Sequence, residues 1–343
     1  MEAPDLKKVT LYTSIFCVIA LAVCLWRAAT KPVVIADAAE VRKEVPAEEP
    51  EEAYQPEVND PLLLSLQPQQ DPEVDLQIPM PAGILSEDIR SENRYLYHQL
   101  WITLHTGKMI YDQMPIYANT DKIREAVCIR TGEEEYCLRF GLTGLYEPET
   151  QLSDGSLSLK LRDPGEIYPN IVLVDPVGQP AADTAEPLEE TGPEQQDPAL
   201  AAALKLAELF REDPETQVYL TRQGAEWDEA LASILLKETG ADFCLRLRVD
   251  DKGGSDAICA EYNDRWFLRK YSNAQFACDL AEEAAISAGR PVAAIEPCGS
   301  EESLLSISTV PGAVIGMGHD VDPELAAEGL HKALINAYEG MKP

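Results

Sequence analysis

After Pro169 the chain changes its period, and that change constrains the fold more than any other feature. Residues 171–175 form a short continuous apolar run, and Leu200, Ala203, Leu204, Ala207 and Phe210 then recur at helical spacing behind Asp197-Pro198. Asp is a good helix N-cap and Pro is suited to the first helical position, so the spacing predicts a helix over 198–211. A strand at 216–221, a helix at 226–239 and strands at 242–249 and 257–262 follow. A helix at 273–288, a strand at 313–317 and a last helix opening at Asp322-Pro323 complete the series. Strands that alternate with helices must bury an apolar sheet under helices on both faces, so residues 171–343 read as an α/β domain with a mostly parallel sheet.

Residues 81–170 read differently. Leu100, Ile102 and Leu104 alternate with polar neighbours, as do Leu157, Leu159 and Leu161, which is the period of half-buried strands. These residues are expected to form a small all-β domain. Within it a hairpin is expected over 127–138, with a four-residue loop at 131–134. That loop sets Cys128 opposite Cys137 and Val127 opposite Leu138, so the two cysteines are either a disulfide or two small apolar residues on a sheet face. Of the eight cysteines, none has the CxxC spacing of a structural zinc knuckle.

The N-terminal part is of another kind again. Residues 9–26 carry no charge and follow Lys7 and Lys8, a length at the lower bound for crossing a bilayer. The expectation is a transmembrane helix retained as an anchor behind a cytoplasmic stub at 1–8, with the bulk of the chain outside the cell membrane. Cleavage after Ala29 or Ala38 is the alternative. Residues 27–80 are read as an acidic, proline-rich disordered linker, because a segment so poor in apolar residues cannot offset its ordering entropy. The apolar Leu62-Leu63-Leu64 is its one feature that could dock on something. A formal charge of −32 argues against a nucleic-acid partner, since phosphate binding needs clustered Lys and Arg.

Several short pieces stand in order: Ile171-Val172-Leu173-Val174-Asp175 into Pro176-Val177-Gly178, Thr221-Arg222 closing the second strand, and Ala241-Asp242-Phe243 opening the third. Val310-Pro311 before the strand 313–317, and Ile335-Asn336-Ala337-Tyr338 in the last helix, complete the set. In this order, over residues 171–343 as a whole, the chain resembles the zinc-dependent N-acetylmuramoyl-L-alanine amidases. The resemblance implies one zinc ion held by two histidines and a glutamate, with a second glutamate as general base. Matched position by position, the first histidine falls at Gly178, the zinc glutamate at Gln195, the second histidine at Arg248 and the base at Gly316. A slip of one residue brings Glu194 to the third ligand position, and none restores a histidine. The resemblance therefore implies a family member without its zinc ligands or its catalytic glutamate, and no cofactor is expected.

Arg246 and Arg248 are two apart on one strand, so both are expected on the face that carries the family's second histidine, with Asp175 positioned to pair with Arg248. They are read either as a salt bridge filling a lost metal pocket or as a receptor for the carboxylates of peptidoglycan stem peptides. His319, just past Gly318, is a candidate to join Asp175 or Glu194 in a relocated site. The basic, aromatic run 265–270 is either a partner contact or an ordinary connection. Three readings follow. One is an inactive, wall-facing amidase-like protein that binds stem peptide or a cell-wall protein partner. Another is an active amidase with non-standard ligands, and the third is a membrane-tethered structural protein with no peptidoglycan binding.

Overall fold

The computed structural model describes residues 61–111, 114–153, 155–178, 197–224, 227–264, 271–299 and 302–341, all within one compact unit spanning Pro56–Pro343. The expected span at 9–26 lies outside the described residues, as do Glu194, Gln195 and the run 265–270. Among the described residues no helix is long and apolar enough to cross a membrane.

Two five-stranded sheets form the N-terminal half. The first runs β1-β7-β8-β5-β4 and the second β2-β6-β3-β10-β9. The strands are β1 (Leu62–Leu63), β2 (Leu66–Pro68), β3 (Leu76–Pro79), β4 (Ile89–Arg94), β5 (Gln99–His105), β6 (Ile116–Ala118), β7 (Ile123–Gly132), β8 (Glu135–Leu142), β9 (Glu147–Ser153) and β10 (Ser156–Arg162). Leu100, Ile102 and Leu104 of β5 meet Leu157, Leu159 and Leu161 of β10 in one apolar core.

The described β structure begins at Leu62, so residues 61–80 are not part of the linker expected over 27–80. Leu76, Ile78 and Met80 alternate into the core, and Leu64 is buried beside them. Leu62 and Leu63 pair with Cys128 and Val127 of β7, so the apolar triplet does dock, on its own domain. Buried Asp75 locks this segment in place. It accepts the Leu161 amide N–H (2.9 Å), the Asn119 side-chain amide (2.9 Å) and Lys122 Nζ (3.0 Å).

The hairpin also differs from its expected register. The turn is the two-residue Glu133-Glu134, and a bulge lies between Arg130 and Gly132. Cys128 therefore faces Leu138, and Cys137 faces Ile129. A one-residue shift moves a side chain to the other face of the sheet. Cys128 joins the core, Cys137 is buried on the opposite face, and neither is bridged.

A short helix α1 (Pro164–Ile167) leads into the second half. Its strands are β11 (Asn170–Pro176), β12 (Thr216–Leu220), β13 (Phe243–Val249), β14 (Ile258–Tyr262), β15 (Val292–Pro297) and β16 (Gly312–Met317), in the order β12-β11-β13-β16-β14-β15. Pairing is parallel except between β14 and β16. The connection from β13 to β14 is too short for a parallel crossover, which takes a dozen residues or more, so β14 runs the other way. The helices are α2 (Pro198–Phe210), α3 (Glu229–Glu238), α4 (Asn273–Ala288), α5 (Ser303–Ile307) and α6 (Pro323–Met341).

Helices α2, α4 and α6 cover one face through Leu206, Phe276, Leu280 and Leu330. Gly329 lets α6 lie directly on α4, since a Cβ there would sit 2.2 Å from the Glu283 carbonyl oxygen. The N-caps fall where the sequence places them. The Leu200 N–H donates to Asp197, and the Glu324 and Leu325 N–H groups donate to Asp322. Helix α3 starts at Glu229 and not at 226, because Asp228 is the side chain that caps it, accepting the Ala230 N–H.

The opposite face is covered by α3 and α5 and also by the β half, which contributes Tyr95, Leu96, Leu145 and Tyr168 to a cluster with Leu173, Tyr219, Leu235 and Cys244. Tyr95 Oη both accepts the Leu220 N–H (2.9 Å) and donates to the Leu220 carbonyl (3.0 Å). The two halves share a core.

Candidate functional site

From β11 the chain crosses through α2 to β12 on one side, then through α3 to β13 on the other. This reversal opens a crevice beyond the carboxyl ends of β11 and β13, the place where open α/β sheets bind ligands. Asp175 ends β11 there and is fully buried. It accepts the Thr221 hydroxyl (2.5 Å), the Trp227 indole N–H (3.2 Å) and Arg246 Nε (2.7 Å). Arg246 is equally enclosed, and its Nη1 donates to Glu302 Oε1 at 2.6 Å. Its Nη2 is buried without a hydrogen-bond partner among the described residues.

Burial works against the Arg246 charge, but Asp175 and Glu302 outweigh it and hold the guanidinium protonated. Burial raises the Glu302 carboxyl above its ordinary range, although Arg246 pulls it back down. The result is a charge-dense knot of one cation and two buried carboxylates, with the more exposed Glu229 3.8 Å from Arg246 Nη1.

Arg248 does not pair with Asp175. It lies two residues further along β13 and donates to Asp250 (2.7 Å) and Glu261 (2.6 Å), and Glu261 also takes Lys252 (3.0 Å). The chain's own carboxylates thus take Nε and Nη1 of Arg246 and Nε and Nη2 of Arg248. His319 is exposed and bonds to Asp251 (3.0 Å), which with Asp320 raises its pKa. It does not join Asp175, whose side-chain partners are Thr221, Trp227 and Arg246.

Gly178 and Arg248, where the resemblance places the two histidines, present no zinc-binding side chain, and Gly316, where it places the base, presents no carboxylate. Arg248 is a permanent cation, which opposes a second positive charge. A Cβ built at Gly178 would sit 2.8 Å from Trp227 Cβ, and one at Gly316 would sit 2.5 Å from Cys259 Sγ. Trp227 and Cys259 stand in the space that a side chain at Gly178 or Gly316 would enter.

Sequence reasoning missed Trp227 and Glu302. Trp227 directly precedes the Asp228 cap of α3, and a cap signal says nothing of the tryptophan beside it. Glu302 stands at the N-cap position of the short α5, with no capping side-chain bond, in a stretch with no period to read.

No family model matches this sequence, and no curated protein matches it. Among solved structures, the catalytic domain of CwlV, an N-acetylmuramoyl-L-alanine amidase from Bacillus (Paenibacillus) polymyxa, is similar over 50% of this chain and 99% of its own, at 18% identity and TM-score 0.39. An N-acetylmuramoyl-L-alanine amidase from Clostridium difficile 630 is similar over 50% and 98%, at 16% identity and TM-score 0.41. The CwlD amidase of Clostridioides difficile, solved in complex with the GerS lipoprotein, is similar over 50% and 100%, at 16% identity and TM-score 0.39.

Proposed function

We propose that this chain is an amidase-like protein without amidase chemistry, held at the cell membrane by residues 9–26 and acting at the cell wall by binding. The observation that carries this reading is the Asp175–Arg246–Glu302 knot, in which the charged groups at the carboxyl ends of β11 and β13 are already paired with one another. An amide hydrolase needs a polarised carbonyl and a base with a free lone pair facing the attacking water. Asp175 is engaged by three donors and fully buried, and Glu302 is spent on Arg246. Each group in the crevice thus serves to neutralise or orient another.

The experiment is release of stem peptide from purified peptidoglycan by the full chain in detergent with added zinc, together with co-sedimentation on the insoluble wall. The expected result is co-sedimentation with no release above a protein-free control. Turnover would make the chain an amidase with ligands of its own. Absence from the pellet would make it a membrane tether that has left peptidoglycan behind.

A further inference from the structure

A cleft of about 680 Å³ opens beside the knot, between the two halves of the molecule. One wall is the 3-10 turn Tyr95–Tyr97 of the β half, contributing Leu96 and Tyr97. The other wall comes from the end of β12 and the start of α3, with Gln223, Trp227 and Leu231. A second hollow of about 210 Å³ continues past Asn93 and Arg94 on the far side of the same turn, again reaching Gln223. The main cleft alone lies within the roughly 300–1,000 Å³ range of small-molecule sites.

Both aromatic walls are set in advance. Tyr97 is 65% exposed, yet the turn that carries it is tied down on either side. Tyr95 is bonded twice to Leu220, and His98 Nε2 lies 2.7 Å from Glu238 of α3. His98 has φ 49°, and it is the one described non-glycine residue at positive φ. Such a conformation is held only where its surroundings enforce it, and here it turns the chain sharply just behind an aromatic ring left in solvent. Trp227 is anchored opposite by its N–H to Asp175.

The charges in the cleft are already committed. Arg222 donates to the Pro176 carbonyl, the Gly224 carbonyl and Asp197. Asp228 is the N-cap of α3. In the main cleft the one guanidinium, Arg222, is fully bonded, while Arg94 in the second hollow pairs with Glu92 and lies over the Trp101 ring, and a chain of net charge −32 repels carboxylates and phosphates alike. The cleft offers aromatic faces, the Gln223 side-chain carbonyl (its amide nitrogen donating to Tyr95 Oη at 3.3 Å) and backbone groups, which suit an uncharged, hydroxyl-rich chain.

We infer that this interdomain cleft is an oligosaccharide site, with a neutral sugar chain lying between Tyr97 and Trp227. The inference deepens the wall-binding reading and rests on it, because it makes the recognised part of the wall the glycan and not the acidic stem peptide.

The test is calorimetric titration of the full chain, in a sugar-free detergent, with chitotetraose as the neutral probe and the dipeptide Ala-Glu as the carboxylate probe. Saturable chitotetraose binding is expected, weakened at least tenfold by Tyr97→Ala and kept within about threefold by Tyr97→Phe, with no heat from Ala-Glu. Tyr97 is mostly exposed, so neither variant threatens the fold. Chitotetraose binding that is absent, or indifferent to Tyr97→Ala, overturns the site. Ala-Glu binding that Tyr97→Ala abolishes overturns the ligand class. If the cleft fails while the protein still co-sediments with peptidoglycan, the wall-binding reading survives it; stem-peptide release would sink that reading and leave the cleft result standing.

Discussion

At the scale of single residues, the interior is governed by where charges are allowed to stay charged. Asp75 is the clearest case. Burial alone would raise its carboxyl, but the Leu161 N–H, the Asn119 amide and Lys122 outweigh that and hold it below the ordinary 3.8. A carboxyl whose folded pKa is depressed stabilises the fold fully above its unfolded pKa, and that stability is lost as pH falls through the folded value. Asp75→Asn should cost about 2–3 kcal/mol at pH 7, below the usual cost of breaking a buried pair because the freed Lys122 can reach water. Urea denaturation checks this, and the gap between wild type and variant should shrink as the pH is taken well below 3.8. An undiminished gap at low pH would mean that the asparagine acts through packing and not through charge. The same logic separates the two arginines of β13. Arg246 is sealed in by Asp175 and Glu302, whereas Arg248 keeps an edge to solvent between Asp250 and Glu261.

At the scale of elements, what could be read from sequence was what depends on neighbours in sequence. Helices α2 and α6 are legible because Asp197 and Asp322 stand as caps before an apolar period, whereas the Ser272 cap of α4 is seen only in the structure. Strands β11, β13 and β16 are legible as apolar runs. The first three strands of the β half are not. Leu76, Ile78 and Met80 alternate correctly, but they sit among prolines and acids whose average composition suggests disorder. The hairpin β7–β8 is legible as a hairpin and illegible in register, because a single bulged residue decides which side chains face each other. At the candidate site, Asp175 and Arg246 were named from sequence, while their partners Trp227 and Glu302 arrive through tertiary packing alone. The register carries a prediction. Cys128 and Cys137 lie on opposite faces of one sheet, so neither can reach the other without unpairing β7 from β8. Denaturing the protein with iodoacetamide and no reductant should alkylate both. Recovery of a peptide pair joined through Cys128 and Cys137 would show that the strands pair one residue away from the arrangement described here.

At the scale of the whole molecule, the sequence suggests two domains joined near residue 170, and the packing joins them more tightly than that. Tyr95 and Tyr219 meet edge to face at 5.2 Å. Tyr219 also donates to Glu147 at 2.6 Å, across the boundary, and burial raises that carboxyl above its ordinary range. Leu145, Leu96 and Tyr168 complete the cover over Leu173, Tyr219 and Cys244. On a conventional α/β sheet this face would be sealed by helices. Here α3 and the short α5 leave part of it to the β half. A fragment beginning at residue 170 would therefore expose Tyr219 and its neighbours, an apolar surface that soluble monomers rarely leave open. We expect that fragment to bind a hydrophobic dye and to melt at least about 10 °C below the full described unit, since a loss of only a few kcal/mol shifts a domain of this size by that much. In the intact chain, Tyr219→Phe should cost about 1 kcal/mol, because it strips the half-buried Glu147 of the hydroxyl that donates to it. A fragment that melts cooperatively within a few degrees of the intact protein, without binding dye, would show that the β half is only an appendage. The cleft between Tyr97 and Trp227 would then need another explanation for its fixed geometry, since the contacts that hold its two walls together are the same ones that hold the halves together.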